Sequence, residues 1–327
     1  MIRVYGTLGP ACARAEILEQ MLRRGMTGIR LNLSHISLEE AAGELSELRR
    51  AEKAAGVRAE LLIDMQGPEL RIGKLSAPLT LTAGEVLDLD RLPLPVEIRR
   101  EICPGQELLL DDGKLLLTAQ STGKARVDRG GLLQSRKSVA LPGKEFRLPP
   151  LTEQDRRNIA AAKEAGVSAL MQPFVRSRED LEAVRAALDA AGCSEVRLLA
   201  KVESRAGMEQ LPELIQACDE IVIARGDLGN AKPLWELPAA QKRIAAACRD
   251  AGRDFMVVTQ MLASMEQSPV PTRAEVSDIF NAVLDGAASV MVTGETAAGK
   301  YPVEAIRYLA ETVRQAVTYQ NETGNMR

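Results

Sequence analysis

The chain has 327 residues, 46% of them hydrophobic and 27% charged, with a formal net charge of −3. That length can bury one large core, alone or with a small inserted unit. The slight acidic excess and the 3% aromatic content exclude a basic, base-stacking face for nucleic acid. No apolar run approaches the roughly 20 residues of a membrane span, and no basic-then-apolar leader opens the chain. A single histidine, His35, excludes multi-histidine metal sites and leaves little room for histidine triads. The chemistry must therefore rest on carboxylates, lysine, arginine and hydroxyls, and a bound metal would be Mg²⁺ or Mn²⁺ rather than zinc. Five scattered cysteines (Cys12, Cys103, Cys193, Cys218, Cys248) with no C-x-x-C pair suit a reducing, cytoplasmic setting as small buried residues. Cys12, in a Gly-Pro turn, could be reactive, but burial as a small apolar residue is the expectation for it as well.

Short runs rich in Val, Ile and Leu predict strands at "IRVYGTL" (2–8), "GIRLNLS" (28–34), "ELLIDM" (60–65) and "SALMQPF" (168–174). Four more follow at "VRLLAKVE" (196–203), "EIVIARG" (220–226), "DFMVVTQ" (254–260) and "ASVMVTG" (288–294). Helical periodicity fills most intervals, as in "AEILEQMLRRG" and "LEEAAGELSELRRAEKAAG", each closed by a glycine. "LTEQDRRNIAAAKEAG" carries Thr152 as its N-cap and Gly166 as its stop. Eight strands alternating with helices give an α/β fold, a (β/α)8 TIM barrel, with an open doubly wound sheet as the runner-up. No phosphate-loop or G-x-G-x-x-G signature supports the latter.

The exception lies after the third strand. "LTLTAGEVLDLD", "GQELLLDDGKLLLTA" and "GKARVDRGGLL" cluster apolar residues between Gly, Pro and Asp turns, which predicts a small inserted β domain over residues 72–141. Residues 1–71 and 142–327 then form the barrel. An insert leaving the C-terminal end of a barrel strand is expected to act as a lid over the face where barrel active sites lie.

Most of the strands end in polar groups. Arg30, Asn32 and Ser34 close the second, Asp64 the third, and Arg176 follows the fourth. Lys201 and Glu203 close the fifth, Arg225 and Asp227 the sixth, Thr259 the seventh, Thr293 and Glu295 the eighth. Residues two apart on a strand share a face, so Lys201 and Glu203 project together. Glu203 and Asp227, on adjacent strands, could hold one Mg²⁺. Lys201 beside it could stabilise an enolate oxygen or a transferring phosphoryl group, and Arg30 could bind phosphate bidentately. Gly226, in "RGDLG", permits close backbone approach to an anion.

At this point the motifs resemble a known family. "TLGPACARAEIL", "GIRLNLSH", "LIDMQGPELRIGKL", "SRKSVALPGKEF", "PFVRSREDL", "AKVES", "IVIARGDLG" and the long block "VVTQMLASM…SPVPTRAEVSDIFNAVLDGAASVMVTGETAAGKYPVEA" are similar to pyruvate kinase, in its order. The resemblance implies a glycolytic, cytoplasmic transferase, built as a barrel with a mobile β domain, moving a phosphoryl group between phosphoenolpyruvate and ADP. It implies Glu203 and Asp227 as ligands of Mg²⁺ and Lys201 as the group stabilising the phosphoryl and the enolate. Arg30 would hold the phosphate. The backbone at Ala224, Arg225, Gly226 and Asp227, with Thr259, would hold the carboxylate. Asn32, Ser34, Asp64 and the Met65 carbonyl match the family's K⁺ site, and Glu69 the residue type that accompanies potassium dependence. Arg71 and Lys137 match residues near the nucleotide phosphates and the domain junction.

The departures are specific. Gln66 stands where the family has a lysine, Ala13 where it has an arginine (with Arg14 next door), Pro173 for serine and Ala140 for asparagine, and the insert is short. The chain ends soon after the eighth helix, so the resemblance implies that the C-terminal domain and its sugar-phosphate regulation are absent. A homo-oligomer, a dimer rather than a tetramer, is then expected. The changes cluster on the nucleotide side, leaving the acceptor open. The alternatives are a Mg²⁺-dependent lyase or aldolase acting on a pyruvate enolate without nucleotide, and a non-catalytic keto-acid binder.

Overall fold

A segment that is apolar on both faces is stable only when paired on both edges and covered on both sides, and each Val- and Leu-rich run meets that condition. The computed structural model describes residues 2–34, 36–111, 113–144, 146, 148–230 and 233–324. Eight parallel strands close on themselves: β1 (Arg3–Thr7), β2 (Gly28–Asn32), β3 (Glu60–Asp64), β4 (Ala169–Gln172), β5 (Arg197–Val202), β6 (Glu220–Ala224), β7 (Asp254–Val258) and β8 (Ser289–Met291). They stand in chain order, and β8 returns to β1 through Arg3–Ser289 and Tyr5–Met291. Closure rules out the open doubly wound sheet.

Every strand stops one to three residues before its apolar run does. The last residues of each run leave the ladder and turn across the barrel end. Arg225 and Asp227, expected to finish β6, instead open a short helix, Arg225–Asn230. The helix Glu153–Ala165 begins on Thr152, whose Oγ1 accepts from the Asp155 N–H at 3.0 Å, and ends on Gly166 at φ 71°. Both signals were legible.

The barrel interior is layered. Tyr5, Leu62, Ala169, Met171, Leu199, Val222, Met256 and Met291 form one buried cluster, distinct from the larger core between strands and helices. Two residues earlier on the same strands lie Arg3, Glu60, Arg197, Glu220, Asp254 and Ser289, which close the N-terminal end. Arg3 Nη2 meets Glu220 at 3.1 Å and Asp254 at 2.8 Å, and Arg197 joins Glu60 at 3.1 Å to Glu220. The Ser289 and Tyr5 hydroxyls donate to Glu220 and Glu60.

The second compact unit spans Pro68–Pro149. It holds a five-stranded antiparallel sheet, Val139–Ala140, Glu107–Leu110, Leu115–Ala119, Lys124–Arg129 and Val86–Asp88 in order, and a two-stranded sheet of Leu79–Leu81 with Gly131–Leu133. Leu108, Leu110, Leu117 and Val127 fill its own core, and Leu70 and Leu141 pack there too. A helix at Val96–Glu101 was not expected; Pro95 before it pre-sets the turn into the first helical residue.

Among the described residues no helix is long and apolar enough to cross a membrane. His35 lies outside the described residues. Of the cysteines, Cys12, Cys193, Cys218 and Cys248 are buried and Cys103 is exposed. Cys12 is not a reactive thiol: burial pushes it up to about 11, and its Sγ donates to the Thr7 carbonyl at 3.4 Å.

Gly28 makes room for the interior. A Cβ there would lie 2.2 Å from Cε1 of the fully buried Tyr5. Gly28→Ala is therefore expected to cost about 3 kcal/mol by overpacking, seen as a lowered urea midpoint. Gly43→Ala, where a Cβ meets nothing within 4 Å, is the control and should not lower the midpoint.

Candidate active site

One step beyond the apolar layer, the two-residue repeat places Thr7, Arg30, Asp64 and Lys201 on the inner face at the C-terminal ends of β1, β2, β3 and β5. They meet there. Arg30 donates Nε and Nη2 to Asp64 Oδ2 at 2.8 and 2.6 Å, and Nη1 to Thr7 Oγ1 at 3.4 Å. Lys201 Nζ lies 3.5 Å from the same Asp64 oxygen and 3.0 Å from Glu203 Oε1. Glu203 Oε2 accepts from the Phe174 backbone N–H at 2.8 Å. Phe174 holds that position at φ 51°, a left-handed conformation uncommon outside glycine.

The electrostatics follow from burial. Desolvation opposes the Lys201 charge, but Asp64 and Glu203 outweigh it and hold the ammonium above its ordinary range. Burial raises Glu203 to about 7 and Asp227 adds to the rise, against the pull of Lys201. Glu203 is thus a carboxylate poised to exchange a proton for another cation near neutral pH.

One buried oxygen here, Asp64 Oδ1, accepts no hydrogen bond, and Glu203 Oε1 has only the Lys201 ammonium, at 3.0 Å. Buried carboxylate oxygens left without donors are costly unless a cation takes them. Asp64 Oδ1 is an oxygen that a cation could take. Glu203 with Asp227 is the donor set that could hold Mg²⁺ or Mn²⁺. Among the described residues no three His, Cys, Asp or Glu side chains form a metal cluster. Two carboxylates suffice for Mg²⁺, which keeps waters and substrate oxygens as its other ligands. Asp64 could serve K⁺ together with Asn32, Ser34 and the Met65 carbonyl; Asn32 Oδ1 already accepts from the Ser34 N–H at 3.1 Å.

The loops after β6 and β7 are tied together. Arg225 donates Nε and Nη2 to the Thr259 carbonyl at 3.0 and 2.7 Å, and Nη1 to Asp278 at 2.6 Å. Its side chain is committed there, so any contact with a ligand at this turn falls to the backbone of Ala224–Asp227. First-turn N–H groups of a helix have no intrahelical acceptor and suit an anion. Thr259 and Gln260 both take positive φ, 82° and 54°. A Cβ on Gly226 would come within 3.3 Å of Thr259 Cγ2.

Most of the other expected residues have partners of their own. Arg14 is exposed at the start of the helix Ala15–Arg23. The Gln66 and Gly67 N–H groups donate to the buried Asp155 at 3.1 Å each, which fixes the chain leaving β3. Arg71 pairs with Glu69, and Lys137 with Asp111 at 2.8 Å, all within the Pro68–Pro149 unit. Arg176 donates to Asp180 through Nε at 3.1 Å and Nη2 at 3.0 Å. Glu295 is fully buried and accepts from the Leu262 and Thr293 N–H groups, bracketing the loops after β7 and β8. Sequence reasoning missed Thr7, the Phe174 amide, Asp155 and Asp278. Only Asp155 carried a signal, since T-x-x-D has capping-box spacing.

The family model described as pyruvate kinase, barrel domain, matches residues 2–306. The chain is 40% identical over 324 residues to a pyruvate kinase of Aeropyrum pernix, covering 96% of this chain and 70% of that one. It is 38% identical over 335 residues to a pyruvate kinase of Methylorubrum extorquens, covering 97% and 69%. Against the human pyruvate kinase PKLR the identity is 37% over 340 residues, 96% of this chain and 59% of the human one. With that match along the barrel and the Lys201–Glu203–Asp64–Arg30 cluster at its end, the chain belongs to the pyruvate kinase family.

Proposed function

We propose that the barrel end carries phosphoryl transfer between phosphoenolpyruvate and ADP. The phosphoryl group leaves the enol oxygen of phosphoenolpyruvate for a terminal phosphate oxygen of ADP, and the enolate left behind takes a proton on carbon to become pyruvate. The observation that supports this reading is a lysine kept cationic at the barrel end between two carboxylates, one of which, Asp64, keeps a buried oxygen that no donor satisfies. Such a set meets the need to stabilise negative charge moving between oxygens.

In this reading Lys201 faces the transferring group and the enolate oxygen. Arg30, oriented by Asp64, holds the phosphate with its remaining N–H groups. The Ala224–Asp227 backbone and Thr259 hold the carboxylate. Glu203 and Asp227 would hold Mg²⁺, and Asn32, Ser34, Asp64 and the Met65 carbonyl would hold K⁺. When bound, the divalent cation neutralises developing charge on substrate oxygens. Gln66, neutral at a position where the family carries a charge, slows transfer to ADP without abolishing it.

The test is direct. Purified protein with phosphoenolpyruvate, ADP, Mg²⁺ and K⁺ should form ATP and pyruvate in equal amounts, and no ATP would overturn the reading. Lys201→Met should lower kcat by about 10³-fold or more while Mn²⁺ still binds. Gln66→Lys should raise kcat with ADP; no gain would place the acceptor elsewhere.

A pH dependence follows from Glu203. With its pKa raised from 4.5 to about 7, the folded protein keeps a proton that the unfolded chain has lost. This contribution to stability is complete below about 4.5 and disappears as the pH rises through about 7. A divalent cation needs that proton gone, so Mn²⁺ affinity measured by calorimetry should rise about tenfold from pH 6 to pH 8. Glu203→Gln should bind weakly at both.

A further inference from the structure

We infer that Asp278 is a positioning residue for this site, acting through Arg225 on the backbone of Thr259. The inference rests on the function proposed above. The ladder between β6 and β7 ends at Ala224–Val258. One residue further on, the Arg225 side chain replaces the strand: its Nε and Nη2 converge on the Thr259 carbonyl. The Thr259–Gln260 backbone held in this way has φ 82° and 54°. For a β-branched residue such a conformation is costly, and it persists only when neighbours enforce it.

Asp278 supplies the enforcement. It stands on the helix Arg273–Leu284, outside the cluster around Lys201, and accepts Arg225 Nη1 at 2.6 Å. Arg225, Gln260 and Asp278 share the wall of a cleft of about 720 Å³, lined also by Leu237, Gln241 and Lys242. The Arg225 side chain is only 13% exposed, and its edges are divided between two acceptors. The carboxylate fixes its far edge, so that the near edge stays on the Thr259 carbonyl. Lys242, the other cation of the cleft, is paired with Asp285 at 2.6 Å and does not compete for Asp278. Arg225 also opens the short helix that carries Asp227, so one ion pair sets two loops that the proposed reaction uses.

The experiment compares Asp278→Ala, Asp278→Asn and Asp278→Glu with the parent protein. Turnover with phosphoenolpyruvate and ADP is measured alongside calorimetric binding of oxalate with Mn²⁺. Oxalate is a planar dianion shaped like the pyruvate enolate. Asp278→Ala and Asp278→Asn should lose roughly 10- to 100-fold in kcat and bind Mn²⁺–oxalate more weakly, with melting temperatures close to that of the parent. Asp278→Glu should recover part of the loss. Added formate should do so in Asp278→Ala alone, because the cleft admits a small carboxylate beside Arg225. Parent-like kinetics and binding in Asp278→Ala would overturn the inference. So would a loss that tracks a lowered melting temperature and that neither formate nor glutamate repairs. If the parent binds Mn²⁺–oxalate but forms no ATP, the phosphoryl-transfer reading falls. The binding of the three variants then judges Asp278 by itself. Absence of oxalate binding in the parent overturns both.

Discussion

A closed eight-stranded barrel obliges every second residue of every strand to face one axis, and the rest of this molecule is arranged around that constraint. The middle of the axis must be apolar, because no water reaches it, and Tyr5, Leu62, Leu199, Val222 and Met256 meet the demand. Both ends can be polar only if their charges are paired. At the N-terminal end Glu220 is held by Arg3, Arg197 and Ser289. At the C-terminal end Arg30 and Lys201 share Asp64 Oδ2, Lys201 also holds Glu203, and Asp64 Oδ1 accepts no hydrogen bond. The same two-residue repeat builds a structural plug at one end and a reactive cluster at the other. The difference lies in the buried carboxylate oxygen of Asp64 that no donor reaches.

Strain marks the same end. Of the non-glycine residues described with positive φ, Phe174, Thr259 and Gln260 all follow barrel strands directly. Phe174 and Thr259 are held by charged neighbours. Phe174 gives its N–H to Glu203, and the Thr259 carbonyl is gripped by Arg225. A barrel with rigid walls can hold backbone in such conformations where a free loop would relax. This places N–H and C=O groups in directions that an ordinary turn does not offer.

The sequence carried the fold because its local signals agreed with its global one. Val-rich runs, capping residues such as Thr152 and stop glycines such as Gly166 all point to alternating strands and helices. Lys201 and Glu203 were legible as partners because strand geometry alone brings residues two apart to one face. What was not legible depends on closure. Arg3 and Glu220 are 217 residues apart, Arg225 and Asp278 are 53 apart, and no local rule joins them. Asp227 was read as the end of a strand because nothing in "IVIARGDLG" signals that the helix begins at Arg225.

The plug at the N-terminal end makes the barrel a blind tube. Its floor is a knot of paired charges and its middle is buried side chain, so the part of Lys201 that meets solvent does so at the mouth. Traffic of water and hydrogen isotopes at this lysine is therefore one-ended. Whatever occupies the mouth also sets how often the interior can trade protons with the surrounding medium.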